Sequence, residues 1–304
     1  MTFQGCPVPR SPPPAALPHA PGGLSAVAEW RPSQGVSPGA RRFAEDIRAA
    51  GGVALIVGGW VRDGLLGYAP KDEDIEVFGL SPEAVAKAAS RRSVPVGSGF
   101  GILKVGPLDV SFPRRTRATG VGPKGWQGDV DLKASLKDAA FRRDLTLNAL
   151  AWEPLSGALY DPFGGLEDLA ARRLRWVDPG TFIEDPIRVL RVIQLMARLE
   201  ATLDPTLEAR LPALVGALLE SPRERIWTEI EGLLMKGRSF GPAFALAQRI
   251  GLLAALMPPL VDLDDGQWAA LNRSLAHRRS TQDASPFDAR VVALALLLCP
   301  LPAA

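Results

Sequence analysis

The spacing of apolar residues changes partway along this 304-residue chain, and that change limits the fold more than any single motif does. Up to about Trp176, apolar residues come in short runs or alternate with polar ones. Val53-Ala54-Leu55-Ile56-Val57 reads as a buried strand and Asp74-Ile75-Glu76-Val77-Phe78 as a half-buried one. Ile102 to Val105 and Leu108 to Phe112, around Gly106-Pro107, read as a hairpin. Helices are predicted from the Ser37-Pro38 cap through Phe43 and Ile47 to Gly51-Gly52, over Trp60 to Leu66, and from Ser81-Pro82 to about Arg92. Beyond Trp176 the period lengthens. Asp185-Pro186, Asp204-Pro205 and Ser221-Pro222 each read as a cap followed by an N1 proline. Val189, Val192, Ile193 and Met196, then Ile226, Ile230, Leu233 and Leu234, recur at helical spacing. The expected architecture is therefore α+β: a mixed sheet with helices, followed by an all-helical part.

Composition narrows the chemistry. The two histidines are His19, in a proline-rich stretch, and His277, in a run that reads as a helix surface. Catalysis by a histidine base, a Ser-His-Asp triad or a histidine-ligated metal is accordingly disfavoured. Two cysteines, Cys6 and Cys299, support neither a disulfide framework nor a zinc cluster. Chemistry should run on carboxylates, arginines and backbone. A net charge of +2 gives no strong basic field to mark a nucleic-acid binder. Residues 1–38 hold nine of the 28 prolines without an apolar period, and are expected to form a disordered tail. That tail lacks the pattern of a secretory signal, and no run reaches the roughly 18 apolar residues that span a bilayer. A soluble, cytoplasmic protein with no membrane partner is expected.

Two features carry chemistry. Gly58-Gly59-Trp60-Val61-Arg62-Asp63 lies between a strand and a helix, where paired glycines admit a ligand close to the backbone and free amides suit phosphate. The same residues would equally serve as a tight strand-to-helix turn. Further on, Lys71-Asp72-Glu73-Asp74 runs straight into the alternating strand. Residues two apart on a strand share a face, so Asp72 and Asp74 project together. Adjacent carboxylates repel unless a cation lies between them, and hard oxygen ligands suit Mg²⁺. A solvated acidic turn is the plainer alternative. Asp109, on a later strand, is available as a third carboxylate, and the combination is what a two-metal nucleotidyl transfer requires.

Val57-Gly58-Gly59-Trp60-Val61-Arg62-Asp63, through Leu66-Gly67 to Lys71-Asp72-Glu73-Asp74, resembles the first motif of class II CCA-adding tRNA nucleotidyltransferases and bacterial poly(A) polymerases. Arg142-Arg143-Asp144-Leu145-Thr146-Leu147-Asn148-Ala149-Leu150 resembles the second. Asp161-Pro162-Phe163-Gly164-Gly165-Leu166-Glu167-Asp168-Leu169 follows in the family's order. Glu184-Asp185-Pro186-Ile187-Arg188-Val189-Leu190-Arg191 resembles the nucleotide-selecting helix, and Arg225-Ile226-Trp227-Thr228-Glu229-Ile230-Glu231 the later helical motif. The resemblance implies a polymerase-β-like head over 39–177, a helical neck over 178–237 and a helical body, shortened, over 238–304. It implies that Asp72 and Asp74 hold two Mg²⁺ ions with Asp109 as the third catalytic carboxylate. Gly58, Gly59 and Arg62 would contact the triphosphate, with Arg143 helping at the nucleotide. Asp185 and Arg188, with Arg191 nearby, would read the base.

That last assignment also has a physical basis. A carboxylate accepts from an exocyclic amine and a guanidinium donates to a ring nitrogen or carbonyl, so a helix face bearing both can imitate a Watson–Crick edge for C or A. The chain departs from the family where a further arginine usually follows Arg191 by one turn: Gln194 stands there. The segment between Arg114 and Arg143, which CC-adding relatives shorten, looks undiminished and points away from a CC-only enzyme. The implied function is template-independent addition of C and/or A, from CTP and ATP, to the 3′ end of tRNA. The alternatives are a poly(A) polymerase, an A-adding half-enzyme, or a non-catalytic RNA- or nucleotide-binding protein on the same fold.

Overall fold

The computed structural model describes residues 18–70, 72–90, 93–96, 102–118, 126–264, 266–269, 271 and 273. Lys71, Lys124, His277 and the apolar run 291–298 lie outside the described residues, as do both cysteines. The chain divides into two compact units. One comprises Met1–Ala171 with Trp176–Thr181, the other Arg172–Arg175 with Phe182–Ala304.

In chain order the first unit contains β1 (Ala28–Glu29), α1 (Pro38–Ala49), β2 (Val53–Val57), α2 (Gly59–Leu65), β3 (Asp74–Phe78), α3 (Pro82–Ala88), β4 (Ser93–Val96), β5 (Ile102–Val105) and β6 (Leu108–Ser111). The hairpin β7 (Arg114–Ala118) and β8 (Trp126–Val130) follows, then α4 (Leu136–Phe141), a 3₁₀ turn at Thr146–Asn148, β9 (Ala151–Trp152), β10 (Ala158–Tyr160) and α5 (Gly165–Ala170). Eight strands form one mixed sheet in the order β1-β10-β9-β2-β3-β6-β5-β4. Every neighbouring pair is antiparallel except β3 and β6, which run parallel. β2 and β3 are central and buried on both faces, which is why their sequences read as nearly continuous apolar runs after Asp74.

Residues 18–37 depart from the expected disordered tail. Ala20, Ala26, Ala28 and Trp30 are buried, and β1 pairs with β10 at the sheet edge. Trp30 meets Trp60 and Trp152 edge-on, with ring centroids 6.1 and 5.7 Å apart, while Trp60 and Trp152 stack at 5.4 Å. Trp152 Nε1 donates to the Trp30 carbonyl at 2.9 Å, and Tyr160 Oη donates to that of Pro18 at 2.8 Å. One tryptophan and a few alanines bury enough surface to order this segment although they show no period.

The second unit contains a two-stranded parallel ribbon of β11 (Arg173–Leu174) and β12 (Thr202–Leu203), and otherwise helices. α6 (Pro179–Ile183) carries the boundary between the units. It is followed by α7 (Arg188–Leu199), α8 (Pro205–Arg210), α9 (Val215–Leu219), α10 (Arg223–Lys236), α11 (Gly241–Arg249) and α12 (Leu252–Leu256). α7 buries Val189, Leu190, Val192, Ile193 and Leu195. Of the three cap-plus-proline starts read here, Asp204 is a true N-cap, its side chain accepting from Thr206 N. Ser221 is not, because Pro222 itself takes the cap position. Asp185 is not either: α7 starts at Arg188 with Ile187 as its N-cap, after a turn closed by Arg188 N–H donating to the Asp185 carbonyl.

Candidate active site

The first unit brings its acidic residues to one end of the central strands. In the parallel ladder Asp74 stands directly opposite Asp109, followed by Ile75 opposite Val110 and Glu76 opposite Ser111. Asp72 lies two residues ahead of Asp74, before the strand begins. Burial raises the Asp74 carboxyl above its ordinary value; the Arg143 cation acts against this, and the carboxylates of Asp72 and Asp109 push it up further. The three acids expected to act together thus share one electrostatic neighbourhood. Asp109 is also gripped by Lys104 across the β5–β6 pair, Nζ lying 2.9 Å from Oδ1 and 3.1 Å from Oδ2.

Among the described residues no three His, Cys, Asp or Glu side chains close into a cage for a metal ion. The donors present nevertheless fit a hard divalent cation. They are all carboxylate oxygens, and the charges of Asp72 and Asp109 both bear on the Asp74 carboxyl. Magnesium is ordinarily held in this way, by one or two carboxylates with substrate phosphates and water completing the shell.

Beside the acids is the turn between β2 and α2. Gly58 has φ +72° and ψ −132°, a conformation in the glycine-favouring half of the map. A Cβ there would lie 2.9 Å from Arg143 Nη1, so the missing side chain makes room for that guanidinium. Arg143 Nη2 donates to Glu76 Oε2 at 3.1 Å, and Glu76 is buried. Arg62 does not reach outward as expected for a triphosphate contact. It is 5% exposed, with Nε and Nη2 on Asp63 Oδ1 at 2.9 and 2.8 Å and Nη1 on Asn148 Oδ1 at 2.5 Å. Asn148 Nδ2 in turn donates to Asp144 Oδ1 at 2.9 Å. A buried network therefore joins the Gly58-Gly59 turn to the segment Arg142–Leu150 from beneath. That segment is itself held by Thr146 Oγ1 donating to the fully buried Asp168 at 2.6 Å.

In the second unit, Asp185 Oδ2 accepts from Arg225 Nη2 at 2.7 Å, while Oδ1 is buried and finds no donor among the described residues. Arg191 Nη2 donates to Glu229 Oε1 at 3.1 Å. Arg188 is partly exposed at the first position of α7. A Cβ built on Gly232 would overlap the Gln194 amide, so Gln194 lies against α10 where that helix has no side chain. Sequence reasoning gave no individual role to Glu76, Lys104, Asn148, Arg225 or Glu229. Glu76 was signalled by the same period of two that pairs Asp72 with Asp74, and Arg225 with Glu229 by their i, i+4 spacing. Lys104 needed the strand register.

A parallel acidic pair at the end of a mixed sheet, beside a glycine turn, is similar to the head domain of polymerase-β-like nucleotidyltransferases. Residues 54–175 match the poly A polymerase head domain family model. A multifunctional CCA protein of Nitrosococcus oceani is 37% identical over 210 residues, 67% of this chain and 50% of its own length. A solved tRNA-processing enzyme complex is 30% identical and covers 84% of this chain and 69% of its own, with a TM-score of 0.63. The CCA-adding enzyme of Bacillus stearothermophilus in complex with CTP is 27% identical, covering 87% and 67%, with a TM-score of 0.63. The chain belongs to the family of CCA-adding enzymes and poly(A) polymerases. Enzymes of this kind generally use divalent metal ions. The chain spans about half the length of the curated relatives it matches. No helix among the described residues is long and apolar enough to cross a membrane.

Proposed function

We propose that the chain is a template-independent RNA nucleotidyltransferase that adds C and/or A, from CTP and ATP, to the 3′ end of tRNA in the cytoplasm. The observation that carries this reading is the register of Asp74 against Asp109, with Asp72 and Arg143 acting on the same carboxyl. The relatives support the choice of substrate, since solved neighbours are described as complexes of CCA-adding enzymes with CTP, ATP and tRNA.

Asp72, Asp74 and Asp109 would hold Mg²⁺. The ion would supply Lewis acidity that activates the attacking 3′-hydroxyl and offsets charge on the departing pyrophosphate. The reaction forms a bond from the RNA 3′-oxygen to the α-phosphorus and breaks the bond to pyrophosphate, with no covalent enzyme intermediate. The partly exposed backbone at Gly59, next to Gly58, would admit phosphate oxygens near Arg143, whose second contact, Glu76, fixes its direction. Arg62 supports this turn from inside the protein and is not a direct ligand. In the helical unit, the Asp185 carboxylate would accept from the exocyclic amine of C or A, which U and G do not offer in the same place. Arg225 holds Oδ2 of that carboxylate. Arg188 supplies donors to the ring edge, with Arg191 braced by Glu229. The division into neck at 178–237 and body at 238–304 belongs to the same proposal.

The test is primer extension with Mg²⁺ and each labelled NTP on tRNA lacking CCA, tRNA ending in CC, and an unstructured RNA. Ordered addition of C, C and A to the first is expected. Addition of A alone to the second would narrow the chain to an A-adding enzyme, and long A-tails on any RNA would make it a poly(A) polymerase. No incorporation on any substrate would overturn the reading.

A further inference from the structure

The acid between the two aspartates has no part in the arrangement above. Successive side chains on an extended chain leave on opposite sides, so Glu73 departs away from Asp72 and Asp74. It ends at the start of α1. Its Oε1 accepts from the backbone N–H of Ser37 at 2.6 Å, and its Oε2 from the Ser37 hydroxyl at 2.5 Å. Ser37 is at the same time the N-cap of α1, its Oγ accepting from Ala40 N at 3.1 Å. One carboxylate thus takes both donors of a capping residue 36 positions earlier in the chain, at a helix end whose dipole favours an anion.

This grip matters because of where the sheet stops. The β2 ladder reaches Ile75 and the β6 ladder reaches Asp74, but neither extends to residues 72 and 73. Backbone pairing fixes Asp74 and Asp109. It does not fix Asp72.

We propose that Glu73 is a positioning residue for the cation site: by holding the N-cap of α1 it fixes the backbone at Asp72 and so completes the carboxylate set. This rests on reading Asp72 and Asp74 as cation ligands. The contact also turns the intervening carboxylate away from the cation, so a chain with three consecutive acids presents two of them.

The test measures Mn²⁺ binding to the full chain, without nucleotide or RNA, from the EPR signal of free Mn²⁺. Asp72→Asn serves as the reference for loss of a ligand, and circular dichroism confirms folding. Glu73→Ala is expected to weaken Mn²⁺ about tenfold, the lower end of what loss of an outer support costs a metal site. Glu73→Gln, whose amide can still pair with both groups of Ser37, is expected to stay close to the parent chain. Adding Ser37→Ala to Glu73→Ala should cost nothing more in Mn²⁺ affinity. The Mg²⁺ concentration for half-maximal incorporation should rise in Glu73→Ala while KM for RNA stays put. Unchanged Mn²⁺ affinity in a folded Glu73→Ala, with Asp72→Asn impaired, would overturn the inference alone. Equal loss in the Ala and Gln variants would overturn it too, showing that charge acts and not grip. If the parent chain binds no Mn²⁺ that Asp72→Asn weakens, the ligand assignment itself falls and takes the inference with it.

Discussion

Gly58 carries two demands at once, a left-handed φ and an absent Cβ beside the Arg143 guanidinium. Gly58→Ala should therefore cost about 1–3 kcal/mol in urea unfolding, the usual range for a strained backbone position. Displacement of Arg143 should also reduce incorporation more than stability. Asp72 is the opposite case. It is exposed and outside the ladder, so Asp72→Ala should leave the unfolding midpoint within about 0.5 kcal/mol while abolishing incorporation. Retained activity in that variant would remove it from the cation site. At this scale the sequence was a good guide to where the acids stand and a poor one to where the arginines point. A period of two singled out Asp72 and Asp74, and Asp109 was visible as an acid on a later strand, while its place opposite Asp74 needed the register. Arg62 looked like a ligand because it follows the glycines by one helical turn, yet its direction depends on Asp63 and Asn148, and Asn148 arrives from far along the chain.

Among the elements, helix starts show when local rules hold. Ser37, Ser81 and Asp204 cap α1, α3 and α8 as their Ser-Pro or Asp-Pro pairs predict. Asp185 fails as a cap because Arg225 draws its carboxylate to α10, a tertiary contact with no local signature. Ser135 and Asp138 form a reciprocal capping box at α4. The Ser135 hydroxyl, then its backbone N–H, holds the Asp138 carboxyl below its ordinary value. A depressed folded value stabilises above the unfolded one, 3.8, and that stabilisation is lost as pH falls through the folded value. Acid titration of Asp138→Ala should therefore show a shallower loss of stability below about pH 4 than the parent chain. Ser135→Ala should cost about 1 kcal/mol at neutral pH. In the helical unit, Gly232→Ala must expel the Gln194 amide and should destabilise by about 1–3 kcal/mol. Gln194→Ala in the same chain should recover most of that, and a strictly additive double variant would show that the two helices do not meet there.

At the level of the molecule, the change of period near Trp176 announced the passage from sheet to helices, and the structure divides into units close to that point, at Ala171 and Thr181. The order of strands could not be read. The β1 edge was hidden because proline dominates its surroundings, and the parallel β3–β6 pairing because it joins strands separated by α3, β4 and β5 and leaves no local signal. Base reading by the helical unit has its own test: Arg188→Ala should blur the choice among the four NTPs, and unchanged selectivity would argue against it. The parallel pair has a consequence for biosynthesis. Asp74 and Asp109 meet only after α3, β4 and β5 have been made and the chain has doubled back, so a nascent chain that ends before Leu108 holds one half of its acidic edge. Non-local parallel pairing is slow because the intervening loop must close first. The paired acidic edge is thus withheld from every translation product that ends before Leu108, and it is acquired late, as a property of the closed crossover.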